Sequence, residues 1–354
     1  MRTLSKHTLH SIWWMMALAI LTVCLSAESC QTGAATSVAG IGAITITNRT
    51  VAMTVQPGAM QSVNASCQAG EFLLSGGYST TAPAYGGEIN PGLPTNRYVV
   101  FEDFPSSATT WTVSVMNRSS GTEAGSIEIA AQALCASGLP TTPTIISSFV
   151  PLSNGGTPSD ATCVEQTDQH GSSIPVLTGG GYRVTGVQSP NDVVTILASY
   201  PLIGFGQASG FGLSAWHVST TIAKGSTINP MTAQIHAFAI CGSLKSVAGA
   251  AVHVAAPAAP GITPDVITSG ITSVSCDTGL IMAGAGFTLD DTVGDGQVIT
   301  RLVPDISVTP SKWWLTLYSL PAASSKTNNL FQNPGSGATL MPVCLSPASY
   351  VKSQ

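Results

Sequence analysis

Leu74-Ser-Gly-Gly-Tyr78, Thr178-Gly-Gly-Gly-Tyr182 and Ala283-Gly-Ala-Gly-Phe287 are three versions of one phrase, a glycine-rich run closed by an aromatic ring. Each follows a cysteine: the ring stands 11, 19 and 11 residues after Cys67, Cys163 and Cys276, so the middle copy carries 8 extra residues. Each is followed by a tryptophan on an alternating stretch, Trp111-Thr-Val-Ser-Val, Trp216-His-Val-Ser-Thr and Trp314-Leu-Thr-Leu-Tyr. Each copy then ends in an alternating apolar strand that carries a second cysteine, Cys135, Cys241 or Cys344. Four landmarks recur in one order three times, which is the signature of an internal repeat.

The period within these copies is two. In Ile127-Glu-Ile-Ala-Ala-Gln-Ala-Leu-Cys135 the residues Ile127, Ile129, Ala131, Ala133 and Cys135 share one face, and Glu128 and Gln132 take the other. Ala233, Ile235, Ala237, Ala239 and Cys241 repeat this face, opposite Gln234 and His236. Gly and Pro punctuate the gaps, and no long 3.6-residue periodicity competes. The fold class expected is all-β: three tandem antiparallel sandwich-like repeats of about five to seven strands each, packed with pseudo-threefold symmetry.

Six cysteines pair by order and matching position as Cys67–Cys135, Cys163–Cys241 and Cys276–Cys344, with separations of 68, 78 and 68 residues. Each bridge is expected to join the first and last strand of its repeat. The glycine pair beside Tyr or Phe is expected to let a backbone pack closely under the tryptophan. Trp111 shares parity with Val113 and Val115 and reads as core; in the third repeat Trp313 competes with Trp314, because neighbours on a strand face opposite ways.

The pattern resembles a class of bacterial secreted repeat proteins of unknown function with a Cys, Gly-Gly-Gly-Tyr/Phe, Trp-x-Val, Ala-x-Cys signature, over about residues 60–346. The third repeat departs from it at Ala285 and in ending Met341-Pro-Val-Cys344. The resemblance implies secretion and supplies no catalytic residues.

Residues 1–27 read as a signal peptide: Arg2 and Lys6, an apolar run from Ile12 to Leu25, then small residues at Ser26, Ala27 and Ser29. An uncleaved N-terminal anchor is the rival reading. Residues 28–42 form a flexible leader, 43–140 the first repeat, 144–247 the second, 248–264 an Ala/Pro linker and 265–347 the third. Cys24 falls in the signal, which leaves Cys30 over. Secretion is expected, with lipid anchoring at the cell surface through Cys30 as the alternative and the one route to a membrane. Asn48, Asn64 and Asn117 stand in glycosylation tripeptides that matter only in a eukaryotic secretory pathway.

Charged residues make up 8% of the 354, against roughly 25% in an ordinary soluble protein, and the net charge is −5. A nucleic-acid partner is not expected from such a balance. No nucleophile elbow, His-Glu-x-x-His, Cys-x-x-Cys or P-loop occurs, so no catalytic residue, metal site or cofactor is assigned. His217 and His236 would be cross-strand neighbours if their strands formed a hairpin, but a third metal ligand is missing. Asp290-Asp-Thr-Val-Gly-Asp-Gly296 lacks the oxygen donors of a calcium loop at Val293 and Leu302 and reads as a solvated turn. The expected function is that of a non-enzymatic surface or matrix protein. The alternatives are an extracellular binding module for a glycan or cell-surface ligand, with Tyr78, Tyr182 and Phe287 as solvent-facing equivalents, and a secreted hydrolase.

Overall fold

The computed structural model describes residues 36–38, 44–80, 98–119, 125–139, 141–153, 156–163, 176–205, 213–223, 225–242, 245–248, 252–255, 268–289, 297–319 and 337–346. The signal stretch, Cys30 and the acidic turn 290–296 lie outside the described residues.

Every regular element described is a strand. The first unit comprises β1 (Thr36–Val38), β2 (Ile44–Val55), β3 (Met60–Ser66), β4 (Glu71–Thr80), β5 (Tyr98–Ser107), β6 (Thr110–Asn117) and β7 (Ile127–Ser137). The second comprises β8 (Thr144–Pro151), β9 (Thr157–Cys163), β10 (Val176–Thr185), β11 (Val194–Phe205), β12 (Leu213–Ile222) and β13 (Gln234–Gly242). The third comprises β14 (Lys245–Ala248), β15 (Val252–Ala255), β16 (Thr268–Ser275), β17 (Ile281–Leu289), β18 (Gln297–Asp305), β19 (Lys312–Ser319) and β20 (Gly337–Ser346).

Each unit splits into two half-sheets. The first has β2-β7-β4 and β3-β6-β5, the second β8-β13-β10 and β9-β12-β11, and the third β20-β17, edged by β14 and β15, and β16-β19-β18. The half-sheets do not close on themselves. They fuse with those of the neighbouring units, so all three sheets are shared. β5 joins β10 through Asp103↔Tyr182 and Glu102↔Arg183, β11 joins β17 through Ser199↔Phe287 and Ala198↔Thr288, and β18 joins β4 through Leu302↔Tyr78 and Arg301↔Ser79. Unit one thus meets two, two meets three, and three meets one. We call the sheets A (β1-β2-β7-β4-β18-β19-β16), B (β3-β6-β5-β10-β13-β8) and C (β14-β20-β17-β11-β12-β9, with β15 beside β20).

The glycines explain why the joins form where they do. A Cβ on Gly77, Gly181 or Gly286 would collide with the backbone oxygen of Leu302, Asp103 or Ser199 across the join. A Cβ on Gly76 or Gly180 would collide with the ring of Trp111 or Trp216. Closer to the centre, a Cβ on Gly179 would lie 2.7 Å from the Cβ of Ser75, and one on Gly284 would lie 2.9 Å from Ser75 Oγ. One residue from each unit therefore converges there, and side chains larger than serine do not fit. Bulges at Leu74, Thr178 and Ala283, and at Phe101, Leu197 and Thr300, occupy matching places in the three units. Such bulges bend strands out of one sheet's plane.

Disulfides Cys67–Cys135, Cys163–Cys241 and Cys276–Cys344 staple the two half-sheets of one unit to each other. Of the expected first-to-last-strand link the last strand holds, since Cys135, Cys241 and Cys344 lie in β7, β13 and β20, the final strand of each unit in chain order. The first strand is corrected: Cys163 lies in β9 and Cys67 and Cys276 directly follow β3 and β16, edge strands each preceded by another strand of their unit. Three bridges of this kind are typical of proteins from oxidising compartments.

Two stretches expected as unstructured connections contribute strands. Thr36–Val38 of the leader pairs with Ile44–Ile46, and Val252–Ala255, within the expected linker, pairs with Gly337–Leu340. Runs of three and four residues carry too little alternation to be told from linker.

Candidate functional site

A proline opposite a tryptophan marks the same point in each unit: Pro105↔Trp111, Pro201↔Trp216 and Pro304↔Trp313. The three tryptophans are buried, at 0%, 1% and 0% exposure. The repeat pattern puts Trp314 in the third core place; the register corrects this to Trp313, and Trp314 turns to the outer face. The Pro signal was present in the sequence as Phe104-Pro105, Tyr200-Pro201 and Val303-Pro304, but hairpin loops of unequal length between Pro and Trp hide it.

Two residues before each proline stands the partner of the indole. Trp111 Nε1 donates to Asp103 Oδ1 at 2.6 Å, and Trp216 Nε1 donates to Ser199 Oγ at 2.9 Å. Leu302 takes that place in the third unit, and Trp313 Nε1 has no acceptor among the described residues. Asp103 is wholly buried, and desolvation pushes its carboxyl up to about 8, opposed by the Trp111 hydrogen bond.

Tyr78, Tyr182 and Phe287 are equivalent, but at 2–3% exposure they are not solvent-facing, so the condition that would have supported the glycan-binding alternative through these rings is not met. Tyr78 OH donates to the Ile299 carbonyl (3.1 Å) and Tyr182 OH to the Val100 carbonyl (3.4 Å). With Val100, Ile196 and Ile299 these rings line a cavity of about 60 Å³, room for a few waters and little else. Burial raises both phenols far above their ordinary range, so they act as neutral donors.

The outer faces differ where the core agrees. The residue after each core tryptophan points outward, and it is Thr112, His217 or Trp314. On sheet B, Thr112 belongs to a hydrogen-bonded row with Asn64 and Ser106, beside the Arg183–Glu102 ion pair at 2.7 Å. Phe104 and Phe238 meet at 4.7 Å above Gly181, and His236 stands between Phe238 and the exposed Phe149. On sheet C, His217 Nδ1 meets Asp160 Oδ1 at 2.6 Å and its ring lies 4.9 Å from Tyr200. His217 and His236 therefore sit on different sheets, and the hairpin that would have made them neighbours does not form: β12 pairs with β11 and β9, while β13 pairs with β10 and β8.

On sheet A, Trp314 lies between two cations, with Arg301 Cζ 5.9 Å and Lys312 Nζ 5.6 Å from its ring. Its Nε1 donates to Asp305 Oδ2 at 3.2 Å. Asp305 Oδ1 in turn accepts from Ser307 N (3.1 Å) and Ser307 Oγ (2.6 Å). The Ser307 hydrogen bond is the main cause holding the Asp305 carboxyl below its usual range, aided by Trp314 and Arg301.

Among the described residues no group of three metal-ligating side chains converges. Of the three asparagines in glycosylation tripeptides, Asn64 is exposed, Asn48 donates to Gln132 Oε1, and Asn117 is buried with Nδ2 on the Val55 and Gly125 carbonyls. The chain is thus an all-β protein of three disulfide-stapled units that share their sheets. No protein-family model matches it, and no curated protein is significantly similar to it.

Proposed function

We propose that this chain is an exported, non-enzymatic protein of the cell surface or extracellular matrix, in which three diverged repeats make one rigid body. The observation that carries this reading is the sharing of every sheet between two units, each unit being cross-linked by its own disulfide. Such a body opens only by breaking sheet hydrogen bonds and core packing together, which suits long service outside the cell. Several acidic groups among the described residues are tied into structure: Asp103 holds an indole, Glu102 holds Arg183 and Ser114, and Asp160 holds His217. Fractionation of cells expressing the full chain, followed by intact-mass measurement of the N-terminal peptide, tests the reading. A mature chain outside the cytoplasm supports it, with Cys30 free for secretion or diacylated for anchoring. An intact cytoplasmic chain with reduced cysteines overturns it.

A second reading, an extracellular binding module, is favoured by the divergence of the outer faces around a shared core, with Thr112, His217 and Trp314 at one equivalent position. Loss of ligand capture on exchanging outer residues, with stability unchanged, would distinguish it from a pure scaffold.

A further inference from the structure

We propose that the outer face of sheet A around Trp314 binds an acidic polysaccharide, a chain of sugar units bearing carboxylates. This rests on the binding-module reading and names its ligand class. Four observations meet at this point.

The third unit carries a tryptophan that its core does not use. Trp313 fills the core place held by Trp111 and Trp216, and Trp314 is left half-buried on the outer face. The equivalent Thr112 and His217 show that the fold does not require an indole there. A half-buried indole on an outer face offers apolar area to the C–H face of a sugar ring, amphipathic at low entropic cost.

The cations around it make no ion pair among the described residues. Arg49 and Arg183 are consumed by Glu71 and Glu102 at 2.8 and 2.7 Å, whereas neither Arg301 nor Lys312 has a carboxylate within ion-pair distance among the described residues. In a chain of net charge −5 with 12 Lys and Arg in all, two cations flank one ring beside the single carboxylate of Asp305, so positive charge is in local excess among the described residues. Both lie near the outer limit of about 6 Å for a cation–π contact.

Asp305 selects among anions. It fixes the indole through Nε1 and is itself fixed by Ser307, so a carboxylate acceptor stands beside the cations. A ligand that suits both must carry hydroxyl donors as well as acid groups. Acidic sugars have both, whereas a phosphodiester strand offers no hydroxyl at its charged positions, and two cations are few for the 6–10 phosphate contacts of a nucleic-acid site.

Among the described residues the sheet ends beside this ring. Ser273 is the cross-strand neighbour of Trp314 on β16, the last strand of sheet A, and Ile271 two residues before it is 64% exposed. A polysaccharide crossing this edge meets serine and isoleucine beyond the ring.

Titration of the purified disulfide-bonded protein with oligogalacturonate, followed by tryptophan fluorescence and calorimetry, tests the site. The expected result is saturable binding that weakens with added salt, with a neutral cello-oligosaccharide of equal length at least tenfold weaker. W314A and the pair R301Q/K312Q should each weaken it at least tenfold, and W314F should stay within about threefold. A single cooperative melting transition well above the assay temperature and an intact disulfide map in these variants separate lost binding from lost fold. Absence of saturable binding, equal binding of the neutral sugar, tighter binding of a single-stranded oligonucleotide, or binding indifferent to W314A would each overturn the proposal. Cell fractionation is untouched by these outcomes, so failure here is distinguishable from failure of the surface assignment.

Discussion

Trp111 Nε1 and Asp103 Oδ1 stand 2.6 Å apart at the join between the first and second units, and the carboxyl group that accepts this bond is wholly buried. The second unit solves the same problem with Ser199, a neutral acceptor. The first unit therefore carries a titrating group where its neighbour carries none.

Stability should depend on pH through Asp103. Its folded pKa of about 8 lies above the ordinary 3.8, so the folded state holds the proton more tightly than the unfolded chain. The stabilisation is fully present below about pH 4 and is lost as pH rises through about 8, a change of several kcal/mol at most. D103N keeps an acceptor for Trp111 and removes the titration. Melting temperature measured from pH 4 to 9 should fall for the parent and stay nearly level for D103N; parallel curves would show that Asp103 is not the group responsible.

The two adjacent tryptophans of the third unit should behave differently. W313A empties a fully buried site and should cost about 3–5 kcal/mol. W314A removes a half-buried outer ring and should cost about 1 kcal/mol. Urea unfolding of the two variants gives the comparison, and reversed costs would mean that the register of β19 is off by one.

Gly181 should tolerate no side chain. G181A places a methyl against the Asp103 carbonyl at the join of β10 and β5, and the expected loss is about 3 kcal/mol or more. Gly70 is the control: its φ of 84° disfavours alanine, yet nothing lies within 4 Å, so G70A should cost about 1–2 kcal/mol. Chemical denaturation decides; similar costs would argue that the join is not close-packed.

Removing one disulfide should weaken the whole body. The C163S/C241S pair opens a 78-residue separation, worth about 4 kcal/mol in the chain-entropy treatment. A single cooperative transition at lower denaturant is expected, because the sheets of the second unit continue into the first and third. A separate early transition would show that the units unfold independently.

Much of this protein is determined locally. Period-two alternation around Ile127–Cys135 and Ala233–Cys241 sets strands and their buried faces, because a pleated backbone sends successive side chains to opposite sides. Ordered landmarks set three units, and equal placement of cysteines set their pairing. What the sequence left open depends on distance between units. That Gly77, Gly181 and Gly286 serve a neighbour's strand, that each sheet belongs to two units, and that His217 and His236 part company are decided by strand pairing across long separations, which no local pattern encodes. The choice between Trp313 and Trp314 is of the same kind. Adjacent residues on a strand are equally able to face the core, and only the register against Pro304 decides which ring is buried and which is left outside beside Arg301, Lys312 and Asp305.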